Sequence, residues 1–349
     1  MTAPFRLFGA EFSAYSLKVR SYLRYKGLAF DWLERSAARL EEFNGFAKKP
    51  MAPVLVDADD QVTQDSTAII AVLEAEFPEP SIAPEAPALA VLSALIEDYA
   101  DEWLNKALVH YRWSYEPDSE AAAKRIAELV FPEAEAPEDI QASIRSRMGA
   151  RLHHVGATPD NAALIEGSFA QLLELLEAHL ASRPYLFGAR PALADFALAA
   201  QLGQLASDPT PGAVLRANAP RVAEWIARMD APKAEGEFEG FEALRPTLLA
   251  LVHAEIAGAY LPWMTANAEA VREDKAHVSV DLAGGTFSQK PQRFAAKSFA
   301  AIEKLCAEHQ EDEALKAFLE EAGAGALLQA SSEDESGEDE ESESEETAD

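Results

Sequence analysis

The spacing of apolar residues along this chain changes character near residue 80. Before that point, short alternating runs are interleaved with runs of helical spacing. Phe5-Arg6-Leu7-Phe8 has the alternation of a strand. Ser16 to Lys26 carries Leu17, Tyr22 and Leu23 on one side and has Gly27 as its stop, which predicts a helix. Ala29 to Leu33 alternates again, with Phe30 and Trp32 on one face. A polar, partly helical stretch from Ser36 to Lys49 leads into Pro53-Val54-Leu55-Val56-Asp57, a turn at Ala58-Asp59-Asp60, and Gln61-Val62-Thr63, the pattern of a hairpin. Ser66 to Phe77 returns to helical spacing through Ile69, Ile70, Leu73 and Phe77. The predicted order is β-α-β followed by β-β-α.

Pro78, Pro80, Pro84 and Pro87 cannot sit in a helix interior or a central strand, so an extended linker is expected over 79–88. The rest, to about Leu328, is rich in Ala, Leu and Glu. It predicts helices at about Leu89–Tyr115, Asn161–Ala181, Leu193–Ala206, Arg221–Met229, Glu242–Glu273, Pro291–Glu308 and Glu313–Glu321. Between Val278 and Phe287, alternating residues flank Gly284-Gly285 and predict a small hairpin. The expected division is a first domain over 1–78, the linker, a helical domain over 89–230, a helical extension with a hairpin over 231–328, and a tail over 329–349.

Composition changes this picture chiefly through charge. Of 349 residues 48% are apolar, enough for the cores of two domains, but 60 acids face 30 bases for a net charge of −30. The last 19 residues, Ser331 to Asp349, hold 11 acids and no base, which leaves 49 acids against 30 bases elsewhere. A body this acidic repels phosphate backbones and anionic lipid heads, so neither nucleic acid nor a membrane is an expected partner. The tail lacks apolar anchors and is expected to be disordered, serving solubility or high salt, or else docking a basic partner or accepting phosphate on its five serines.

Cys306 is the sole cysteine, which removes intrachain disulfides, cysteine zinc clusters and CxxC pairs; among Ala and Leu it reads as a small buried hydrophobe. None of the seven histidines forms HxxxH or HExxH, and the adjacent His153 and His154 point apart on a helix, so no metal is expected. Gly323-Ala324-Gly325 follows no strand and no phosphate-binding loop is present. The N-terminus has no cationic stretch followed by an apolar run, and no segment nears 18 consecutive apolar residues, so a cytoplasmic location is expected.

Three short segments carry the candidate chemistry. Ser13-Ala14-Tyr15-Ser16-Leu17-Lys18 follows the first strand and opens the first helix, where a serine caps unpaired N–H groups and the positive helix end favours an anion. Met51-Ala52-Pro53 places a proline at the start of a strand, which suits either a plain strand entry or a cis bond that leaves Ala52 free for a peptide ligand. Gln64-Asp65-Ser66-Thr67 opens another helix, and its carboxylate, hydroxyl and free N–H groups suit an amino-acid end as well as a cap.

Taken together, Ser13-x-x-Ser16, Ala52-Pro53 and Asp65-Ser66, on this order of elements with a proline linker and helices behind, resemble the cytosolic glutathione transferases over about residues 5–230. The two serines sit where a thioredoxin-like chain places the cysteines of CxxC. The resemblance implies an α/β thioredoxin-like N-terminal domain with a mixed four-stranded sheet, followed by an all-α C-terminal domain. It implies glutathione as co-substrate, no metal, and a homodimer. By the same resemblance Ser13 matches the serine that donates a hydrogen bond to the glutathione thiolate, with Tyr15 a second candidate. Ala52 and the family's cis-proline, Pro53, match the pair that meets the cysteinyl backbone, and Asp65 and Ser66 match the holders of the γ-glutamyl end. Gly188-Ala189-Arg190-Pro191-Ala192-Leu193-Ala194-Asp195 resembles the family's Gly-x-x-Pro-[ST]-x-x-Asp helix start, with Ala192 in place of the N-cap hydroxyl.

Met51 replaces the amide or lysine that the family places before Ala52-Pro53, which leaves Lys48 or Lys49 to reach the glycyl carboxylate. With Lys18, these are the cations expected nearest the site. The resemblance also sets the helix Glu97–Trp113 beside the electrophile pocket. At 100° per residue Tyr99, Trp103 and His110 fall within about 40° of one another, with Asp101, Asn105 and Arg112 opposite. The aromatic stripe reads as core packing or as the electrophile wall, and the polar one as an intramolecular ion-pair set.

The expected function is a glutathione transferase that activates the thiolate for transfer to an apolar small-molecule electrophile. The alternatives are a non-catalytic binding or scaffold protein of the same fold, motivated by Met51 and the long extension, and a glutathione-dependent isomerase or reductase. Exchange with a protein-bound glutathionyl group is disfavoured, because Ser13 has no thiol to form a mixed disulfide. The extension lies outside the family's standard architecture and is expected to cover the active site, widen a dimer interface or bind a partner.

Overall fold

The computed structural model describes residues 4–130 and 138–328, so the acidic tail lies outside the described residues. The first elements are β1 (Phe5–Gly9), α1 (Ala14–Lys26), β2 (Phe30–Glu34), α2 (Leu40–Phe46), β3 (Val54–Val56), β4 (Val62–Gln64) and α3 (Ser66–Glu76). The sheet runs β2-β1-β3-β4, with β2 parallel to β1 and the other pairs antiparallel. This is the mixed four-stranded arrangement expected. Its pleat sends Leu7 and Leu55 to the face covered by α1 and α3, and Phe8, Val54 and Val56 to the face covered by Phe43 of α2. Gly27 ends α1 in the left-handed conformation, at φ 65°, as its place after the last helical residue requires.

The helices that follow are α4 (Pro87–Tyr99), α5 (Asn105–Ser114), α6 (Glu116–Val130), α7 (Glu138–Gly149), α8 (Ala162–His179), α9 (Leu193–Ser207), α10 (Pro209–Asn218) and α11 (Pro220–Arg228). The long helix predicted from Leu89 is α4 and α5 joined by a π-helical turn, Ala100–Leu104. Three helices escaped the spacing. The inner face of α6 is built on alanines, α7 buries only Ile144, and α10 carries prolines in its first turn. The start of α9 holds without an N-cap hydroxyl. Asp195 accepts from the N–H groups of Leu186 and Ala192 and from Trp225 Nε1, each at 2.9 Å, and its own N–H donates to the Ala192 carbonyl.

The extension comprises α12 (Phe241–Leu251), a π-helical stretch Val252–Tyr260 and α13 (Leu261–Arg272), then the hairpin β5 (Val278–Leu282) and β6 (Gly285–Gln289), α14 (Arg293–Glu308) and α15 (Glu313–Ala322). It packs on α4, α5 and α8 and shares one continuous apolar core with them. Trp103 meets Trp263 and Phe287 at ring-centroid distances of 5.8 and 5.2 Å, and Tyr99 meets Tyr260 at 6.1 Å. Cys306 is wholly buried in that core, and burial pushes its thiol up to about 12. Among the described residues no helix is long and apolar enough to cross a membrane, and no cluster of three His, Cys, Asp or Glu could hold a metal ion.

Candidate active site

Sheet register gathers the three motif segments. Phe8 pairs with Val54 and Val54 pairs with Gln64, while the strands alternate in direction. The end of β1, the start of β3 and the end of β4 therefore share one edge of the sheet. Ser13, Ala52-Pro53 and Asp65-Ser66 project from that edge.

Ser13 has extended backbone and caps α1, its Oγ accepting from the Ser16 N–H at 3.2 Å. The cap uses a lone pair, so the hydroxyl hydrogen remains able to donate outward. Ser16 is fully buried. Tyr15 does not serve as a second donor at this edge. Its hydroxyl donates to the Asp101 carbonyl at 2.9 Å, and burial, with Asp101 and Glu102 close by, holds the phenol well above its ordinary range. Two residues past the cap, the side chain has turned toward the helical domain.

The Ala52–Pro53 peptide is cis and Pro53 is buried, whereas Met51 is exposed. Gln64, to which the sequence assigns no role of its own, holds this loop with all of its side-chain capacity. Its Oε1 accepts from the N–H groups of Lys48 and Lys49 at 3.0 and 3.1 Å, and its Nε2 donates to the carbonyls of Lys49 and Met51 at 2.8 and 2.7 Å. The only signal was its place at a strand end directly before Asp65. Asp65 takes a positive φ of 91°, and its Oδ1 accepts from the N–H groups of Thr67 and Ala68 at 2.9 and 3.1 Å. Ser66 beside it is buried at the start of α3. The Lys48 and Lys49 side chains are exposed at the same edge.

Lys18 is not a cation open to a ligand. Its ammonium is fully buried, ion-paired with Glu97, 2.6 Å from Asp101 Oδ2 and 3.2 Å from Thr67 Oγ1. Burial works against its charge, yet Asp101 and Glu97 outweigh that and hold the ammonium above its ordinary value. With two carboxylates for one ammonium, burial pushes Asp101 up against the pull of Lys18. Against the Ser13 loop stand instead Arg20, paired with Glu11, and Arg112 and Arg125, which share the buried carboxylate of Asp208. The guanidinium carbons of Arg112 and Arg125 lie 5.7 and 5.0 Å from the Phe12 ring centroid.

The long helix presents the opposite face from the one the electrophile reading needed. Asp101 and Arg112 meet the N-terminal domain, and Asn105 shares their side, contacting Gln201 of α9 at 3.4 Å. The aromatic stripe is buried and occupied. The Tyr99 hydroxyl donates to Glu255 at 2.8 Å, Trp103 is covered by Trp263 and Phe287, and His110 Nε2 lies 2.7 Å from Glu166 Oε1. These three residues are core, with the extension covering Tyr99 and Trp103 and Glu166 of α8 covering His110.

Two family models match, "Glutathione S-transferase, N-terminal domain" over residues 7–81 and "Glutathione S-transferase, C-terminal domain" over residues 150–228. No curated protein matches the chain. Among solved structures, a glutathione transferase from Phanerochaete chrysosporium is 21% identical over 66% of this chain and 98% of its own, with a TM-score of 0.47. The beta-etherase LigF from Sphingobium sp. strain SYK-6 is 22% identical over 66% and 96%, with a TM-score of 0.46. A glutathione S-transferase from Methylobacterium radiotolerans, in complex with glutathione sulfonate, is 21% identical over 68% and 99%, with a TM-score of 0.45.

Proposed function

Because the chain belongs to the glutathione S-transferase family, we propose that it binds glutathione at the edge formed by Ser13, Ala52-Pro53 and Asp65-Ser66 and carries the sulfur to an electrophile. The observation that carries this reading is the state of Ser13, whose oxygen caps α1 while its hydrogen stays available. A cysteine thiol titrates near 8.5 and is mostly protonated at neutral pH. A hydrogen bond to the charged sulfur, at about 1.5–3 kcal/mol, together with the positive end of α1 favours the thiolate roughly tenfold to a hundredfold. The proton leaves to solvent. The sulfur then forms a bond to the electrophilic carbon, and the leaving group departs with its electron pair.

Asp65 supports the γ-glutamyl role in this reading, since only one of its oxygens is engaged in the cap. Lys48 and Lys49 remain the cations for the glycyl carboxylate. The expectation of an apolar electrophile loses the support it drew from the aromatic stripe, so the acceptor is named only as a small electrophilic molecule. A homodimer and a cytoplasmic location belong to the same reading. Turnover of a chlorinated nitroarene by the parent and Ser13→Ala tests it; a large loss in the variant is expected, and equal turnover contradicts the role of Ser13. A second reading, a non-catalytic binding protein of this fold, is favoured by the covering of Tyr99, Trp103 and His110. It predicts glutathione binding without turnover.

A further inference from the structure

We propose that Arg112 and Gln204 are positioning residues for Ser13, through which the helical domain sets where the serine hydroxyl points; this rests on the glutathione reading above. The two peptide carbonyls directly before Ser13 are both held from that domain. Arg112 Nη1 donates to the Phe12 carbonyl at 3.3 Å, and Gln204 Nε2 donates to the Glu11 carbonyl at 2.8 Å. The two side chains form one unit, because Arg112 Nη2 donates to Gln204 Oε1 at 2.9 Å and to the Gln204 carbonyl at 3.2 Å. Arg112 Nε in turn donates to Asp208 Oδ2 at 2.7 Å.

All three groups are about 95% buried or more, so these bonds form in a setting where a lost partner is not replaced by water. The loop they hold is short. The Ser13 N–H donates to the Ala10 carbonyl at 2.9 Å, which makes residues 10–13 a single turn between β1 and α1. The Phe12 ring packs against the guanidiniums of Arg112 and Arg125, and Glu11 is further paired with Arg20. A rotation of the Glu11 or Phe12 peptide would turn Ser13 with it. Arg112 and Gln204 do not touch the proposed thiol site and act only through this turn.

The test reads the thiolate of bound glutathione by its ultraviolet absorbance as a function of pH, in the parent, Gln204→Met, Ser13→Ala and the double variant. Gln204→Glu is measured alongside, with and without Ser13→Ala, because it keeps an acceptor for Arg112 and loses the donor to Glu11. The effect of its added charge is the part that persists without Ser13. In both Gln204 variants the thiolate fraction below the midpoint is expected to fall about threefold to tenfold, the effect of one hydrogen bond. Below the midpoint, where the bound thiol is protonated, glutathione affinity should change less than threefold, since Asp65 and Ser66 lie on another segment. In the Ser13→Ala background, Gln204→Met should add nothing. A purely structural role would lower the melting temperature and leave the titration of the folded protein in place. A parent titration reproduced in folded Gln204→Glu, or an equal effect of Gln204→Met with and without Ser13, overturns this inference alone. A parent that shows no bound thiolate overturns the glutathione reading and this inference with it.

Discussion

Lys18 of α1 and Asp101 of the π-helical turn lie 2.6 Å apart, Nζ to Oδ2, with the lysine side chain wholly removed from solvent. Glu97 pairs with the same ammonium, and its Oε1 accepts from Thr67 Oγ1 at 2.7 Å, so one buried cation ties α1, α3 and α4 together. Replacing Lys18 by Met leaves two carboxylates buried without a counter-ion, which costs about 3–5 kcal/mol. Urea denaturation should show that loss for Lys18→Met. The exposed Lys48→Ala and Lys49→Ala should stay within about 0.5 kcal/mol of the parent.

Trp263 is the largest side chain that the extension lays on the long helix. It is fully buried, packs on Trp103, and its ring centroid lies 3.7 Å from the Lys106 ammonium. Trp263→Ala should cost about 3–5 kcal/mol. Limited proteolysis should then cut the extension faster while the first 80 residues keep their protection. Uniform loss of protection across the chain would contradict the extension as a layer laid over the helical core.

Gly156 occupies a positive φ of 74° beneath the hairpin. A Cβ there would lie 2.6 Å from Phe287 Cζ and 2.7 Å from Gln289 Oε1. Gly156→Ala should therefore destabilise by roughly 2–4 kcal/mol, through the left-handed backbone and the displaced hairpin. Thermal unfolding checks the size, and hydrogen exchange over 278–289 checks the place.

Docking of the extension should depend on pH. Burial pushes Asp98, which accepts from the Tyr260 hydroxyl, up to about 7, with Glu97 adding to the effect. Burial likewise pushes Glu255 up to about 7, although the hydroxyls of Ser168 and Tyr99 pull it down. A carboxyl whose folded value lies above its unfolded value, near 4, binds more protons in the folded state. Its contribution to stability is full below about 4 and is lost as pH rises toward about 7. Stability from these two groups should therefore fall between mildly acidic and neutral pH. Asp98→Asn with Glu255→Gln should flatten that slope in urea midpoints; an unchanged slope would assign it elsewhere.

How far the chain could be read from its sequence follows from the range of the interactions. The βαβββα order, the hairpin about Gly284-Gly285 and most helices are periodic over a few residues, and the spacing shows them. The clustering of Tyr99, Trp103 and His110 on one side was also legible, because it is a property of one helix. Which neighbour covers that side is settled by residues 150 or more positions away, such as Glu255 and Trp263, and by Glu166. Spacing carries no trace of them. Lys18 reads as a free cation for the same reason, since its partners Glu97 and Asp101 stand 79 and 83 residues on. Arg112 and Gln204 each look like an ordinary helix residue until α5 and α9 meet over the Ser13 turn.

The most direct measurement of the central claim is calorimetric titration of the full chain with glutathione, in the parent and in Asp65→Asn. That variant keeps an oxygen to cap α3 and removes only the charge. The account predicts saturable binding to the parent at or below millimolar glutathione. It predicts at least about tenfold weaker binding to Asp65→Asn, as expected for a lost charged contact. No heat of binding in the parent at millimolar glutathione, or equal affinity in the two proteins, would contradict it.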